Sequence, residues 1–209
     1  MSRALWTDHV VPRLTDVSLR NEEIGRLRAR VCEGLTGDVL EIGFGSGLNM
    51  RFLPGDVTHV SAVEPSEVGW RLSERRRARS SVPVDRAGLD GQHLALPDHS
   101  HDSALVTFSL CTIPDPASAL LEVQRVLRPG GRLHLLEHGL APDPGVRRWQ
   151  HRLEPAQRRL AGGCHLTRDV AGLLRSGGWQ PEWLEHPDLP GPKAARPWTY
   201  VTMGVATFD

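Results

Sequence analysis

The chain has 209 residues, with 25 Lys plus Arg against 25 Asp plus Glu, so its formal net charge is zero. That length supports one substantial core in a single domain, and the charge balance excludes a nucleic-acid partner held by bulk electrostatics, because no basic excess exists to neutralise phosphates. No apolar run reaches membrane-spanning length and Met1-Ser2-Arg3-Ala4-Leu5-Trp6 lacks the apolar stretch of a signal peptide, so no stable membrane insertion is expected. Three widely spaced cysteines, Cys32, Cys111 and Cys164, suggest neither a disulfide framework nor a zinc site, and the expected compartment is a reducing cytoplasm.

In chain order, residues 1–36 read as an N-terminal helical cover. Asn21-Glu22-Glu23 starts a helix whose apolar positions Ile24, Leu27, Val31 and Leu35 recur at helical spacing, with Gly37 as its stop. Val39 to Ile42 is a first strand running into the turn Gly43-Phe44-Gly45-Ser46-Gly47. Thr58 to Val63 is a second strand, Ser66 to about Arg79 a helix, Val82 to Arg86 a short third strand and Ser103 to Phe108 a fourth. Within that helix, Arg75-Arg76-Arg77 reads as a solvated face. Asp115-Pro116 caps and starts a helix ended by Pro129-Gly130-Gly131, and Leu133 to Glu137 is a fifth strand. Residues 37–140 thus form a core of strands alternating with helices, the pattern of right-handed crossovers in a doubly wound parallel sheet, with ligands at the carboxyl ends of its strands.

Residues 141–209 change character. Val146 to Leu160 and Thr167 to Leu174 are helix candidates, and Trp198 to Phe208 is a last strand. The tail from Trp179 fits a two-stranded antiparallel addition at one sheet edge, with Pro187 to Pro197 as the connecting loop. The fold class is therefore α/β: a doubly wound, mostly parallel, seven-stranded Rossmann-like sheet with an antiparallel C-terminal edge.

The glycine turn and Glu64, at the end of the second strand, mark a nucleotide or nucleoside pocket: bare backbone approaches the ligand closely, and a downstream acid holds a ribose. Those two features alone suit a nicotinamide cofactor as well. Four motifs in order narrow the choice. Glu41-Ile42-Gly43-Phe44-Gly45-Ser46-Gly47, the acid Glu64, the segment Asp90-Gly91 through Asp102, and Glu122-Val123-Gln124-Arg125-Val126-Leu127-Arg128-Pro129-Gly130-Gly131 together resemble the class I S-adenosylmethionine-dependent methyltransferases of the ubiquinone/menaquinone-biosynthesis type. In the third motif, Leu96 and His101 depart from the family's usual aromatic residues. Further on, Glu137-His138, Trp149-Gln150 and Gly163-Cys164-His165-Leu166-Thr167-Arg168 resemble the methyltransferase-like branch that includes the alkyl thiol methyltransferases. The hydrophobic N-terminal segment of that branch's animal members has no counterpart here.

The resemblance implies S-adenosyl-L-methionine as cofactor and assigns its contacts. Glu41 would lie near the ammonium, with the backbone of Gly43, Gly45 and Gly47 along the path and Asn49 at the carboxylate. Glu64 would accept both ribose hydroxyls, Asp90 the adenine amine, and the Gly91 backbone a ring nitrogen, while Ser109 and Leu110 complete the floor. For Glu64 a first-turn acid beside Ser66, and for Asp90 a local backbone turn, are the bland alternatives.

Methyl transfer from a sulfonium is an in-line displacement in which position and water exclusion supply most of the catalysis. A thiol acceptor is partly ionised near neutral pH, whereas an amine or phenol needs a base. Catalytic candidates on the acceptor side are His138 and His165, although a histidine bonded to loop backbone reads equally well for His138. Cys111 and Cys164 read as small buried hydrophobes, and Trp6, His9 and Trp149 as cover for the pocket or as core. The pairs His134/His138 and His99/His101 lack a third spaced ligand, so no metal is expected. The expected function is transfer of a methyl group to a small, fairly apolar acceptor, a thiol first. A lipid amine or a quinone carbon stands behind it, and an oxidoreductase or a non-catalytic cofactor-binding subunit further back. The residues leave the oligomeric state open.

Overall fold

The computed structural model describes residues 5–187, 189 and 191–208. A π-helical turn over Trp6–Val10 runs into α1 (Val11–Ser18), and α2 (Glu22–Cys32) follows with Asn21 as its cap, the Asn21 side chain accepting the Ile24 N–H at 2.9 Å. Then come β1 (Gly37–Ile42), β2 (Val57–Val63), α3 (Glu67–Arg77), β3 (Val84–Gly88), β4 (His101–Thr107), α4 (Pro116–Val126) and β5 (Leu127–His138). The C-terminal part supplies α5 (Pro144–Leu160), α6 (Val170–Ser176), β6 (Gln180–Glu185), a short helical turn over Arg196–Thr199 and β7 (Val201–Thr207). Ser66, Asp115, Asp143 and Asp169 cap the helices they precede through side-chain oxygens, each cap contributing about 1 kcal/mol.

The sheet order is β3-β2-β1-β4-β5-β7-β6. The first five strands pair in parallel, and β7 enters antiparallel between β5 and β6, with Leu135 opposite Gly204 and Glu137 opposite Thr202. Alternation along the strands splits the core in two. Leu40, Ile42, Ala104, Val106, Leu133 and Leu135 pack with Leu120 and Val123 of α4 and Leu174 of α6. On the opposite face Val39, Val60, Leu105, Leu136 and Met203 pack with Val31 of α2 and Leu35 beyond it. Both faces are covered, as a parallel sheet requires.

Several boundaries differ from the sequence reading: α2 stops at Cys32 and Gly37 opens β1 instead of ending the helix, β4 starts at His101, and α6 runs Val170–Ser176. Strand β3 begins at Val84 rather than Val82, because Pro83 has no N–H for the ladder and the Val82 N–H is taken by the Ser80 hydroxyl. Strand β5 extends back to Leu127, which pairs with His101 before the ladder shifts at Pro129-Gly130. Trp198 lies in the helical turn with Pro197 at its start, so β7 begins at Val201. Of the expected loop Pro187 to Pro197, Asp188 and Pro190 fall outside the described residues. No helix of the described residues is long and apolar enough to cross a membrane.

Candidate active site

A cavity of about 450 Å³ opens at the carboxyl ends of β1, β2 and β4, under α1. Ile42, Gly43, Gly45, Glu64, Asp90, Gly91, Thr107, Phe108 and Ser109 line its sheet side, and Val11, Pro12, Thr15, Asp16 and Leu19 its cover. Gly43 has φ +75°, and a Cβ there would stand 1.7 Å from the Ser109 hydroxyl oxygen. Only glycine lets β1 turn against the β4 loop at this point.

Glu64 is 5% exposed. Its Oε2 accepts the Gly45 N–H at 2.5 Å and its Oε1 the Ser66 N–H at 2.7 Å. The acid therefore closes the first turn of α3 and also faces the cavity, uniting the two alternatives left by the sequence. Burial raises its pKa, against the two N–H bonds and Arg86. Arg86 in turn donates to the Glu64 carbonyl at 2.7 and 3.0 Å, fixing the strand end that carries the acid.

Asp90 makes the local turn, its Oδ1 accepting from the Gln92 backbone and side chain, both at 2.9 Å, and it lines the cavity as well. The loop behind it is fastened to α4. Glu122 accepts the Leu94 N–H at 2.8 Å, while Arg125 donates to the carbonyls of Leu94 and Leu96 and to Asp98. Glu122 is held down to about 2, first by its hydrogen bonds with Arg125. The Glu122-to-Arg125 stretch of the fourth motif is thus a clasp on the third.

Glu41 and Asn49 lie behind the cavity wall. Asn49 Nδ2 donates to Glu41 Oε1 at 2.8 Å and to the Thr107 hydroxyl at 3.0 Å, while Arg28 donates to Asn49 Oδ1 at 2.5 Å and to Thr107 at 3.0 Å. Of these four, Arg28 and Thr107 line the cavity. Arg28 Nε has no hydrogen-bond partner although it is buried. Burial lowers the guanidinium to about 10 and raises Glu41 to about 7, so Arg28 remains a cation at neutral pH. Sequence reasoning passed over Arg28. Its signal is position: it falls four residues after Ile24 and three before Val31, on the stripe of α2 where an apolar residue is due.

Gly47 turns the chain beneath Phe44 and Ser73, away from the cavity lining. Leu110 is fully buried, and its N–H, like that of Ser109, is bound by Glu137 Oε1 at 2.9 and 2.6 Å. Glu137 also takes the Cys111 N–H, and its burial pushes it up to about 7. The expected N-terminal cover is in place, but the residue that fastens it was missed: Asp16 accepts from the Ser46 hydroxyl at 2.6 Å and from Arg76 at 3.0 Å and pairs with Arg20, locking α1 onto the glycine turn and α3.

Neither catalytic candidate lines the cavity. His165 Nδ1 meets Glu154 Oε1 at 2.7 Å. The His138 ring packs at a 59° tilt against Phe108, with ring centroids 5.0 Å apart, and its Nδ1 lies 3.8 Å from the Cys164 sulfur. Phe108, at φ +54°, is one of two non-glycine residues in the left-handed region among the described residues, and it stands between His138 and the cavity. Trp6 donates to the Leu160 carbonyl, while Trp149 is exposed and borders a separate hollow beside Arg152. His134 is bonded to the Val31 carbonyl, His99 to that of Leu127 and His101 to Ser100, so neither histidine pair converges as a metal site. Cys111 and Cys164, distant in sequence, instead meet with sulfurs 3.6 Å apart. The two thiols titrate as a pair: the Cys111 sulfur and then His138 draw the Cys164 thiol down, while Cys164 and burial push Cys111 up.

A doubly wound sheet with its last strand reversed, carrying a glycine turn and a buried carboxylate at one cavity, defines a nucleoside-cofactor enzyme. Residues 40–135 match the family described as "Methyltransferase domain". Rat thiol S-methyltransferase TMT1B is 35% identical over 138 residues, 63% of this chain and 55% of that protein. Demethylmenaquinone methyltransferase of Clavibacter sepedonicus is 32% identical over 136 residues, 64% of this chain and 55% of that protein. The chain thus spans little more than half the length of these relatives. A solved S-adenosylmethionine-dependent methyltransferase of Thermotoga maritima superposes with TM-score 0.69 at 20% identity, covering 100% of both chains, a likeness of fold. Residues 40–135 are thus a class I S-adenosylmethionine-dependent methyltransferase domain. The site is chemically suited to that cofactor: it offers a carboxylate for a diol, a glycine-lined path that a Cβ would fill, and a buried cation with an unpartnered N–H.

Proposed function

We propose that this chain transfers a methyl group from S-adenosylmethionine to a small, fairly apolar acceptor, with a thiol sulfur as the first choice. When bound, that cofactor supplies an electrophilic methyl on a sulfonium. Glu64 receives the ribose hydroxyls, each carboxylate oxygen keeping a lone pair beyond its backbone N–H bond. Asp90 and the Gly91 backbone take the adenine edge, and Gly43, Gly45 and Ser109 border the methionine part. Arg28, not Asn49, pairs with the cofactor carboxylate, and Asn49, Thr107 and Glu41 hold Arg28 in place. Helix α1, pinned through Asp16, excludes water from above.

The observation that carries the thiol reading is the cavity's composition. Val11, Pro12, Leu19, Leu48, Phe108 and Ile113 give it an apolar lining, and among its lining residues no histidine is placed to take a proton. A thiol of ordinary pKa is a few per cent ionised at neutral pH and needs orientation more than a base. His138 and His165 therefore receive no proton-transfer role in this reading. We place the protein in the cytoplasm as one catalytic domain, on the strength of its free cysteines and its continuous sheet.

The test is methyl transfer from labelled S-adenosylmethionine to an alkyl thiol, a demethylated quinone precursor and a lipid amine, with S-adenosylhomocysteine release measured in parallel. Labelled thioether is the expected product. Label only in the quinone or lipid arm would move the acceptor to those alternatives, and binding of nicotinamides without the sulfonium cofactor would overturn the reading.

A further inference from the structure

Three donors that the methyl-transfer reading leaves unused converge from separate elements. Cys111 follows β4, His138 ends β5, and Cys164 sits in the turn after α5. The two sulfurs are 3.6 Å apart, Cys164 sulfur and His138 Nδ1 are 3.8 Å apart, and all three ligand atoms lie within 4.8 Å of one another. A tetrahedral ion with bonds of about 2.3 Å to sulfur and about 2.0–2.1 Å to nitrogen has edges of roughly 3.5–3.8 Å between its ligands. Two of the three edges already stand at that spacing, and the third, between Cys111 and His138, lies within 4.8 Å.

We propose that Cys111, His138 and Cys164 bind a thiophilic divalent cation, zinc in the first place, with a fourth coordination position left to a non-protein ligand. No fourth His, Cys, Asp or Glu of the described residues joins the group, and three protein ligands plus an open position is an established zinc arrangement. On binding, the two thiols release their protons and His138 Nδ1 contributes its lone pair, so a dication with two thiolates leaves a neutral cluster. Neutrality suits the place: both cysteines are buried, and an uncompensated charge there would be costly. The supports are built in. Glu137 accepts the Cys111 N–H, and Phe108 packs against the imidazole, orienting its Nδ1 toward sulfur. Thr112 and Gly162, near Cys111 and Cys164 in the chain, both line the cofactor cavity, so the ion would tie the β4 loop, the end of β5 and the α5 turn together at that wall.

The site is tested by titrating reduced, chelator-stripped full-length protein with cobalt(II) under anaerobic conditions. Expected is one equivalent of tightly bound metal, with sulfur-to-cobalt charge-transfer absorption and tetrahedral visible bands, displaced stoichiometrically by zinc and accompanied by a rise in Tm. Cys164→Ser and His138→Ala should weaken binding on the order of a hundredfold, while Cys32→Ser leaves the bands unchanged. Folding of each variant is checked by circular dichroism, and wild-type protein supplies a second readout: zinc should shield two of three thiols from a thiol reagent. Folded, reduced wild-type protein that shows neither cobalt bands nor zinc shielding would overturn the proposal, as would bands that survive Cys164→Ser. Methyl transfer is read separately, so failure here leaves the proposed function standing, and the reverse also holds.

Discussion

Replacing Glu64 by alanine gives two separable losses. The first is local: the N–H groups of Gly45 and Ser66, now held at 2.5 and 2.7 Å, lose their acceptor. They border a cavity that admits water, so the low end of the penalty for an unmade bond applies, about 1 kcal/mol each. For a chain of this length a loss of about 2 kcal/mol lowers Tm by roughly 4–8 °C. The second loss is to the ligand. Hydrogen bonds from ribose hydroxyls to a buried carboxylate are worth about 1.5–3 kcal/mol, so S-adenosylhomocysteine should bind roughly 10- to 150-fold more weakly. Calorimetry well below the variant's Tm separates the two. Glu64→Gln, which keeps one acceptor oxygen, should fall between parent and alanine in both measurements. A folded Glu64→Ala protein with the lowered Tm and an affinity within twofold of the parent would refute the ribose assignment while leaving the structural role intact.

Arg28→Met should weaken S-adenosylhomocysteine by about tenfold or more, the scale of a lost charge-assisted bond, and leave 5′-methylthioadenosine, which has no carboxylate, unaffected in a competition assay. Equal losses for the two ligands would show that Arg28 only supports the wall. Glu122 provides the acid limb of stability. Its pKa is about 2 in the fold against an ordinary carboxyl in the unfolded chain, so its contribution is complete above about pH 4.5 and is lost as pH falls toward 2. Allowing for partial exposure, that contribution is about 2 kcal/mol. Glu122→Gln should flatten the urea-stability curve between pH 5 and pH 3, and an unchanged slope would show that Arg125 clasps the loop without it.

The parts of the site that sequence exposes are those in which one residue type has one physical reason to be present. Gly43 must be glycine because the Ser109 side chain occupies the place of its Cβ, and Glu64 must be an acid at a strand end if two N–H groups and a diol are to converge on it. Arg28 was hidden among the exposed arginines of its own helix, Arg26 and Arg30, although its register with Ile24 and Val31 pointed inward. Asp16 was hidden because its partners Ser46 and Arg76 are distant in sequence and belong to other elements. Cys111, His138 and Cys164 show the same limit. Spacing along the chain argued against a ligand set, and only the order β4-β5-β7 brings the strand ends and the α5 turn to one point.

Division of labour within the fold explains why the acceptor is the harder half. The proposed cofactor contacts come from strand ends whose positions are fixed by the ladder: Ile42 opposite Val63 and Val106 sets Gly43, Glu64 and Thr107 at one level. The other side of the cavity is closed by α1 and the turn after α5, which are tied down by a few side chains: Asp16 takes the Ser46 hydroxyl and Trp6 donates to the Leu160 carbonyl. These elements can change length and composition without disturbing the ladder. Residues 40–135 match the methyltransferase-domain family, and relatives at 35% and 32% identity are named for a thiol and for demethylmenaquinone, so likeness at this level does not select the acceptor. At the rim of that span Phe108 touches both the cavity and His138 of the cysteine and histidine cluster. Phe108 holds a left-handed backbone conformation that costs a non-glycine residue of order 1–3 kcal/mol. That cost is offset by three contacts made at once: its ring lies against His138, under the Arg28 guanidinium at 5.5 Å, and along the cavity. A residue so placed links Arg28, at the cavity, to the cysteine and histidine cluster behind it.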